Sequence, residues 1–355
     1  MVVLGVDPHK KTHTVVAADQ SGRKISTITI AATVTGHLKL LRWAARYPRR
    51  RWAAEDGRHV AGRLLRDLLA AGESVTCVPT KLMAQARAGA RTRGKSDPID
   101  ALAVARAALR EPDLPAAHLD QEALELRVLV DHREHLVGER TRHINRLRWH
   151  LVDLAPDLEP PAKTMTRTNR LTQLITDLAQ LPAGIRRDLA IEIAERVLTD
   201  TARINQLERD ITRLVTPIAP TLLSIVGISG LSAAKLLGEI AGIERFATSA
   251  KLANHAGTAC IPVWSGNTER HRLNRGANRQ LNCAVHRVAI TQVRHHPDAA
   301  ALFARRRAAG DTKAGAYRVV KRHLIDVIYR AMTTDAERRG APQPHPATQT
   351  LTPAA

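Results

Sequence analysis

The first seven residues constrain this chain most. Val2-Val3-Leu4-Gly5-Val6 is apolar or small throughout and ends in Asp7. Such a run, closed by the polar Pro8-His9-Lys10-Lys11, reads as a buried β-strand that delivers one carboxylate to a sheet edge. A sheet has to form around it, and the acid at its end needs polar company.

The residues that follow supply that sheet. Thr12 to Ala18 is a second strand, Asp19-Gln20-Ser21-Gly22 has hairpin-turn chemistry, and Arg23 to Ile30 alternates as a third strand. Thr35-Gly36 opens a helix through Trp43 and Ala44. Arg51 to Glu55 is a fourth strand, again ending in an acid; Asp56-Gly57-Arg58 caps a helix through Leu69, and Ser74 to Val78 is a fifth strand. Three antiparallel strands followed by helix, strand, helix, strand is the order of the ribonuclease H-like fold, an analogy of fold and not of activity. The chain then turns helical and basic through Arg87, Arg91, Arg93 and Lys95. In Lys95-Ser96-Asp97-Pro98-Ile99-Asp100, Pro98 suits the first helical position and Asp97 the N-cap. Asp100, three residues on, faces the same side.

Asp7, Glu55, Asp97 and Asp100 are therefore candidates for one site. Four gathered carboxylates repel each other unless cations sit between them. Hard oxygen donors without thiolate select Mg²⁺ or Mn²⁺, and two such ions about 4 Å apart suit phosphodiester cleavage. The plainer alternative is four surface or capping acids, with Asp97 only an N-cap. Asp56 is the rival to Glu55, since a shift of one residue along a strand changes the face.

The remainder is helical. One long pattern runs from Gln121 to about Leu154 and another from Ile185 to about Leu214, with a shorter helix from Asn169 to Leu178 between them. The long pair reads as an antiparallel coiled coil or an oligomerising arm. Pro217 and Pro220 open a last, mainly helical region. Its Leu223-to-Ile240 stretch resembles a helix–hairpin–helix DNA contact, in which Gly227 and Gly230 free backbone N–H groups for a phosphate and Lys235 adds charge. Ser265-Gly266 lies in a loop followed by Arg270, Arg272, Arg275 and Arg279. A serine among arginines suits phosphoryl transfer, although a plain turn fits the spacing better. An excess of 54 Lys and Arg over 34 Asp and Glu, net +20, implies a polyanionic partner, most economically nucleic acid. Cys77, Cys260 and Cys283 lack metal or disulfide spacing, which fits a reducing cytoplasm, and no run approaches a membrane span. The expected division is residues 1–112, 113–216 and 217–335, with a disordered tail at 336–355.

The order of these pieces resembles the DEDD transposases of insertion-sequence family 110, whose relatives include Piv-type invertases. Gly5-Val6-Asp7 with Lys10, Glu55 with Gly57, Lys95-Ser96-Asp97-Pro98-Ile99-Asp100-Ala101, Val226-Gly227-Ile228 and Trp264-Ser265-Gly266 before Arg272-Leu273-Asn274-Arg275-Gly276-Ala277-Asn278-Arg279 carry it. The resemblance implies a RuvC-like domain in which Asp7, Glu55, Asp97 and Asp100 bind Mg²⁺. It implies a C-terminal domain whose Ser265 attacks DNA to form a phosphoserine, and a dimer or tetramer with composite sites. It further implies a structured guide RNA from the same element, so that the basic residues, Asn278 among them, meet RNA as well as DNA, and a nucleoid-associated protein. A structure-specific RuvC-like nuclease and a non-catalytic nucleic-acid-binding protein are the alternatives.

Overall fold

A computed structural model describes residues 1–55, 61–88, 96–111, 114, 116–118, 120–161, 163–265, 268–274 and 277–340. Asp56, Gly57, Arg91, Arg93, Lys95, Gly266, Arg275 and the tail beyond 340 lie outside the described residues.

The first strand, β1 (Val2–Pro8), pairs antiparallel with β2 (Thr12–Ala18), which pairs antiparallel with β3 (Lys24–Ala31). After α1 (Val34–Ala44), β4 (Arg50–Glu55) returns parallel to β1; after α2 (Gly62–Ala70), β5 (Val75–Val78) adds parallel to β4. The order β3-β2-β1-β4-β5 is the ribonuclease H-like sheet expected from the sequence. One face packs Leu4, Val6, Val15 and Trp52 against Leu40 of α1 and Leu64 and Leu68 of α2. The other packs Val3 and Ala53 against α3 (Thr80–Ala88) and α4 (Asp97–Arg110) through Met83, Val104 and Ala108.

At Gly5 the contact between α4 and β1 is closest. A Cβ built on Gly5 would overlap Ala101 O and come within 2.6 Å of Ala105 N and 2.8 Å of Ala105 Cβ. Only glycine in the strand and alanine in the helix allow this approach.

Two long helices follow, α5 (Gln121–Leu154) and, after α6 (Thr168–Ala179), α7 (Ile185–Ile218). At ~1.5 Å per residue each spans about 50 Å. Arg133 bonds Glu208 at 2.8 Å and His143 bonds Asp200 at 3.0 Å, so positions descend on α7 as they ascend on α5 and the pair is antiparallel. Ile193, Val197, Ile204, Leu207, Ile211 and Val215 bury one seam of α7 at spacings of mostly threes and fours. Contrary to the sequence reading, α7 runs through Pro217 to Ile218. A proline in the last turn removes a single intrahelical donor, which a helix this long tolerates.

The last region is α8 (Pro220–Leu223), α9 (Gly230–Ile240), α10 (Ser249–His255), a hairpin of β6 (Cys260–Ser265) and β7 (Thr268–Leu273), then α11 (Arg279–His295), α12 (Pro297–Ala308) and α13 (Lys313–Arg338). The helix–hairpin–helix reading holds only in part, because the helix before the glycine turn is the four-residue α8. The segment read as a loop around Ser265 is an antiparallel hairpin. Its second strand, Thr-Glu-Arg-His-Arg-Leu, is too charged to show strand alternation. Among the described residues no helix is long and apolar enough to cross a membrane.

This packing has two testable consequences. Gly5→Ala should lower the urea unfolding midpoint by an amount equivalent to about 1–3 kcal/mol, because α4 must move off β1. His13 on β2 is buried against His37 of α1, ring centroids 5.3 Å apart, while His37 Nδ1 bonds Asp67 Oδ2 at 2.5 Å. Burial, then His37, push the His13 imidazole down to about 4 from an ordinary 6.5. The unfolded chain therefore takes up this proton first as pH falls. The resulting loss is absent above pH 6.5 and complete below about pH 4, where it amounts to roughly 3 kcal/mol. His13→Phe should flatten that part of the stability profile in denaturant titrations across this range.

Candidate active site

The sheet register places the first two acids. Gly5 pairs with Ala53 and Val6 with Ala54 in parallel, so β1 and β4 end at the same edge, one in Asp7 and the other in Glu55. Side chains alternate along a strand. Val3 and Ala53 face α4, hence Asp7 and Glu55, each an even number of residues further on, face it too. Its rival Asp56 lies outside the described residues.

Helix α4 supplies the other two. Ser96, not Asp97, occupies the N-cap: Ile99 N and Asp100 N donate to Ser96 O at 2.9 and 3.0 Å, and Asp97 is the first helical residue. With proline second, the residue before it is already in the helix rather than capping it. Both acids stand in the first turn, where the helix dipole favours negative charge. Gly5 then fixes how close that turn comes to β1.

Asp7 is buried at 6% exposure, and its Oδ2 has no hydrogen-bond partner. His9 Nε2 stands 3.3 Å from that oxygen without hydrogen-bond alignment and 3.3 Å from Asp97 Oδ1, bridging the two acids. Burial pushes the Asp7 carboxyl above its ordinary value. His9 opposes this, while Asp100, Asp97 and Glu55 push it further up. The other three acids thus all act on Asp7, with Asp100 buried and Asp97 half exposed. Ligand atoms of Asp7, His9 and Asp97 lie within 4.8 Å of one another.

Sequence reading missed His9. The available signal was its place two residues beyond Asp7, in the turn where His9 N donates to Thr12 O at 2.9 Å.

The nucleic-acid candidates are placed as follows. Lys10 is exposed beside His9, and Arg272 and Arg279 are exposed. Arg270 lies on β7 opposite Val263, and Ser265 ends β6 opposite Thr268. Gly227 has φ +88°, and a Cβ on Gly230 would meet Thr212 Cβ at 2.8 Å, so both glycines have packing reasons of their own. Asn278 caps α11, accepting from Leu281 N at 3.1 Å, and donates to Glu239 Oε2 at 2.7 Å. Lys235 requires a correction. Instead of facing solvent it is buried, with Nζ 3.1 Å from Asp131 Oδ1 and 2.9 Å from Glu134 Oε2 on α5.

The strand order, with acids ending β1 and β4 at one edge, defines the class: a ribonuclease H-like domain with a carboxylate cluster at its sheet edge. Two family profiles match the chain, a DEDD transposase of the IS110 type over residues 4–156 and the transposase IS116/IS110/IS902 family over residues 219–304. The chain belongs to the DEDD transposases of this IS110/IS116 family, DNA-cutting and rejoining enzymes. A 44.8 kDa protein of insertion element IS116 from Streptomyces clavuligerus is 26% identical, over 98% of this chain and 98% of that one. A 43.6 kDa protein of IS110 from Streptomyces coelicolor is 29% identical over 68% of this chain and 71% of that one. The solved T. thermophilus RuvC in complex with Holliday junction substrate is 18% identical and covers 32% of this chain and 95% of that chain, with a TM-score of 0.26. The strand order, not that overlay, carries the fold assignment.

The geometry predicts an effect of charge on stability. Because the folded Asp7 holds its proton above the ordinary carboxylate range, its ionisation is a cost of folding. That cost is absent below the ordinary value and complete above the raised one. In chelator at neutral pH, Asp7→Asn should melt higher than the native protein, and the two should converge at low pH. A lower melting temperature for the variant at both ends would contradict a folding cost from Asp7 ionisation.

Proposed function

We propose that Asp7, Glu55, Asp97 and Asp100 hold Mg²⁺, or Mn²⁺ in its place, and that Ser265 is the nucleophile of a DNA recombinase that moves an insertion sequence. The observation that carries the reading is the convergence of four acids on the buried, unpartnered Asp7 Oδ2. This donor set fits a hard divalent cation: the oxygens are anionic, one is orphaned, and their repulsion is relieved by positive charge. Such an ion, when bound, polarises the scissile phosphate and stabilises charge on the entering and leaving oxygens.

The chain's own residues do the rest. Ser265 Oγ attacks phosphorus, a serine–phosphate bond forms, and the strand's P–O bond breaks to release a hydroxyl. The serine proton passes to solvent or a neighbouring base. Attack by the hydroxyl of a second strand reverses the step and frees the serine, so the exchange needs no external energy source. Arg270, Arg272, Arg275 and Arg279 offset charge on the phosphate, and Lys10 lies beside the acids to meet the backbone. Arg91, Arg93 and Lys95 precede α4 in sequence and add positive charge for the nucleic acid.

A division near residue 112 and at the end of α7, two residues beyond the expected 216, separates acid domain, arm and serine domain. The acids of one subunit meet the serine of another in a dimer or tetramer. Support for association through the arm comes from Trp149, Val152, Ile185 and Leu189, which are exposed near its end. The net charge of +20 supports binding of a structured guide RNA as well as DNA.

Trapping tests the reading. With donor and target DNA, co-purified RNA and Mg²⁺, the native protein should give a denaturation-resistant protein–DNA adduct, and Ser265→Ala should give none. Asp7→Asn should abolish both cleavage and adduct while leaving DNA affinity within about two-fold, since electrostatic contacts to phosphate dominate affinity. Cutting that persists in Ser265→Ala with free ends would instead identify a hydrolytic nuclease.

A further inference from the structure

Two lysines are buried among the described residues, and they differ in their company. Lys235 has Asp131, Glu134 and Glu239 within 4 Å of its Nζ. Lys321 on α13 is as buried, at 8% exposure, yet among the described residues no carboxylate pairs with it. Its Nζ donates to Asn282 Oδ1 of α11 at 2.9 Å. That amide cannot turn to suit another partner, because Asn282 Nδ2 is engaged with Ala256 O at 2.7 Å and Gly257 O at 3.1 Å. An ammonium has three donors, so two remain beyond Asn282.

The neighbours of Lys321 are of its own sign or neutral. Burial, then Arg318, hold its ammonium below the ordinary value, with Cys283 pulling the other way. Burial and Lys321 likewise push the His286 imidazole down. His286 packs edge-on against Tyr317, ring centroids 5.5 Å apart, and its Nδ1 is buried without a hydrogen-bond partner. The cluster opens to solvent through the exposed Cys283.

A buried charge without a counter-charge is a standing cost to the fold. Here a lysine with no carboxylate partner, a second cation and an orphaned ring nitrogen lie along the contact between α11 and α13. We propose that Lys321, Arg318 and His286 form a phosphodiester pocket between α11 and α13, occupied by a backbone phosphate of the bound nucleic acid. The anion takes the two remaining ammonium protons, neutralises the repulsion with Arg318 and gives His286 an acceptor. Helix α11 follows the β6–β7 hairpin directly, so the pocket lies on the element that anchors the candidate nucleophile. The ligand assignment rests on the nucleic-acid reading of the chain. The alternative is that Lys321 only orients Asn282.

The test uses full-length protein with two probes, a random-sequence duplex DNA and a random-sequence single-stranded RNA, each titrated over a range of KCl. Lys321→Met keeps the length of the side chain and removes the charge. The slope of log affinity against log salt should fall by about one for the probe whose phosphate fills the pocket, and the free protein should melt no lower than native. Arg318→Gln should lower the same slope, and it decides the matter should Lys321→Met fail to fold. An unchanged slope with both probes overturns the pocket and leaves Lys321 as a strut for Asn282. A flat salt response in the native protein overturns the nucleic-acid reading itself, so the two failures are distinguishable.

Discussion

The candidate site depends on a close helix–strand contact at a glycine. Gly5 lets the backbone of α4 rest on β1 at Ala101 and Ala105. Any Cβ at that point holds the helix away from the sheet, and the helix carries Asp97 and Asp100. Distance between charges enters electrostatics directly. At an effective dielectric of ~20, two unit charges about 4 Å apart interact by about 4 kcal/mol, so an added ångström of separation changes how strongly the acids repel one another. A residue with no functional group thus helps to set the geometry of the cluster.

Much of this was legible from the chain, for an identifiable reason. Val2 to Val6 and Arg51 to Ala54 are short, mostly apolar runs, and an acid ending such a run has few places to go other than a sheet edge. The choice between Glu55 and Asp56 was not legible, since a shift of one residue along a strand changes the face. Asp97 and Asp100 were legible through their spacing of three, although Ser96 takes the cap. His9 was not, because a histidine in a polar turn looks like solvent-facing chain until β1 and α4 converge on it. Lys235 misled for the opposite reason. It follows a glycine turn, where phosphate contact is common, but its partners Asp131 and Glu134 lie about a hundred residues away in sequence. Nothing local announces such pairs.

Those distant pairs tie the arm to the C-terminal region. Gly238 lets α9 lie against α5, where a Cβ would come within 2.8 Å of Arg127 Cβ, and one turn away Lys235 joins the two helices through Asp131 and Glu134. Breaking one partner of a buried pair typically costs about 3–5 kcal/mol because a bare charge is left behind. Glu239, the next acid on α9, reaches across to Asn278. A chain of polar contacts thus runs from the long helix α5, through α9, to the N-cap of α11.

The hairpin that carries Ser265 is held at its base by the end of another helix. The last carbonyls of any helix lack intrahelical donors, and α10 gives its own to the segment returning from β7. Asn274 Nδ2 donates to Asn254 O at 3.3 Å, Asn278 N to His255 O at 2.8 Å, and Asn282 Nδ2 to Ala256 O at 2.7 Å. Three asparagines four residues apart thus meet three consecutive carbonyls. Glu239 and Lys321 in turn fix the side chains of Asn278 and Asn282. The foot of the hairpin is therefore tied to α9, α10 and α13 together. Helix α4 seated on Gly5 and the β6–β7 hairpin on its three asparagines follow one principle: contacts to main-chain atoms set the position of each element, and the side chains it carries follow.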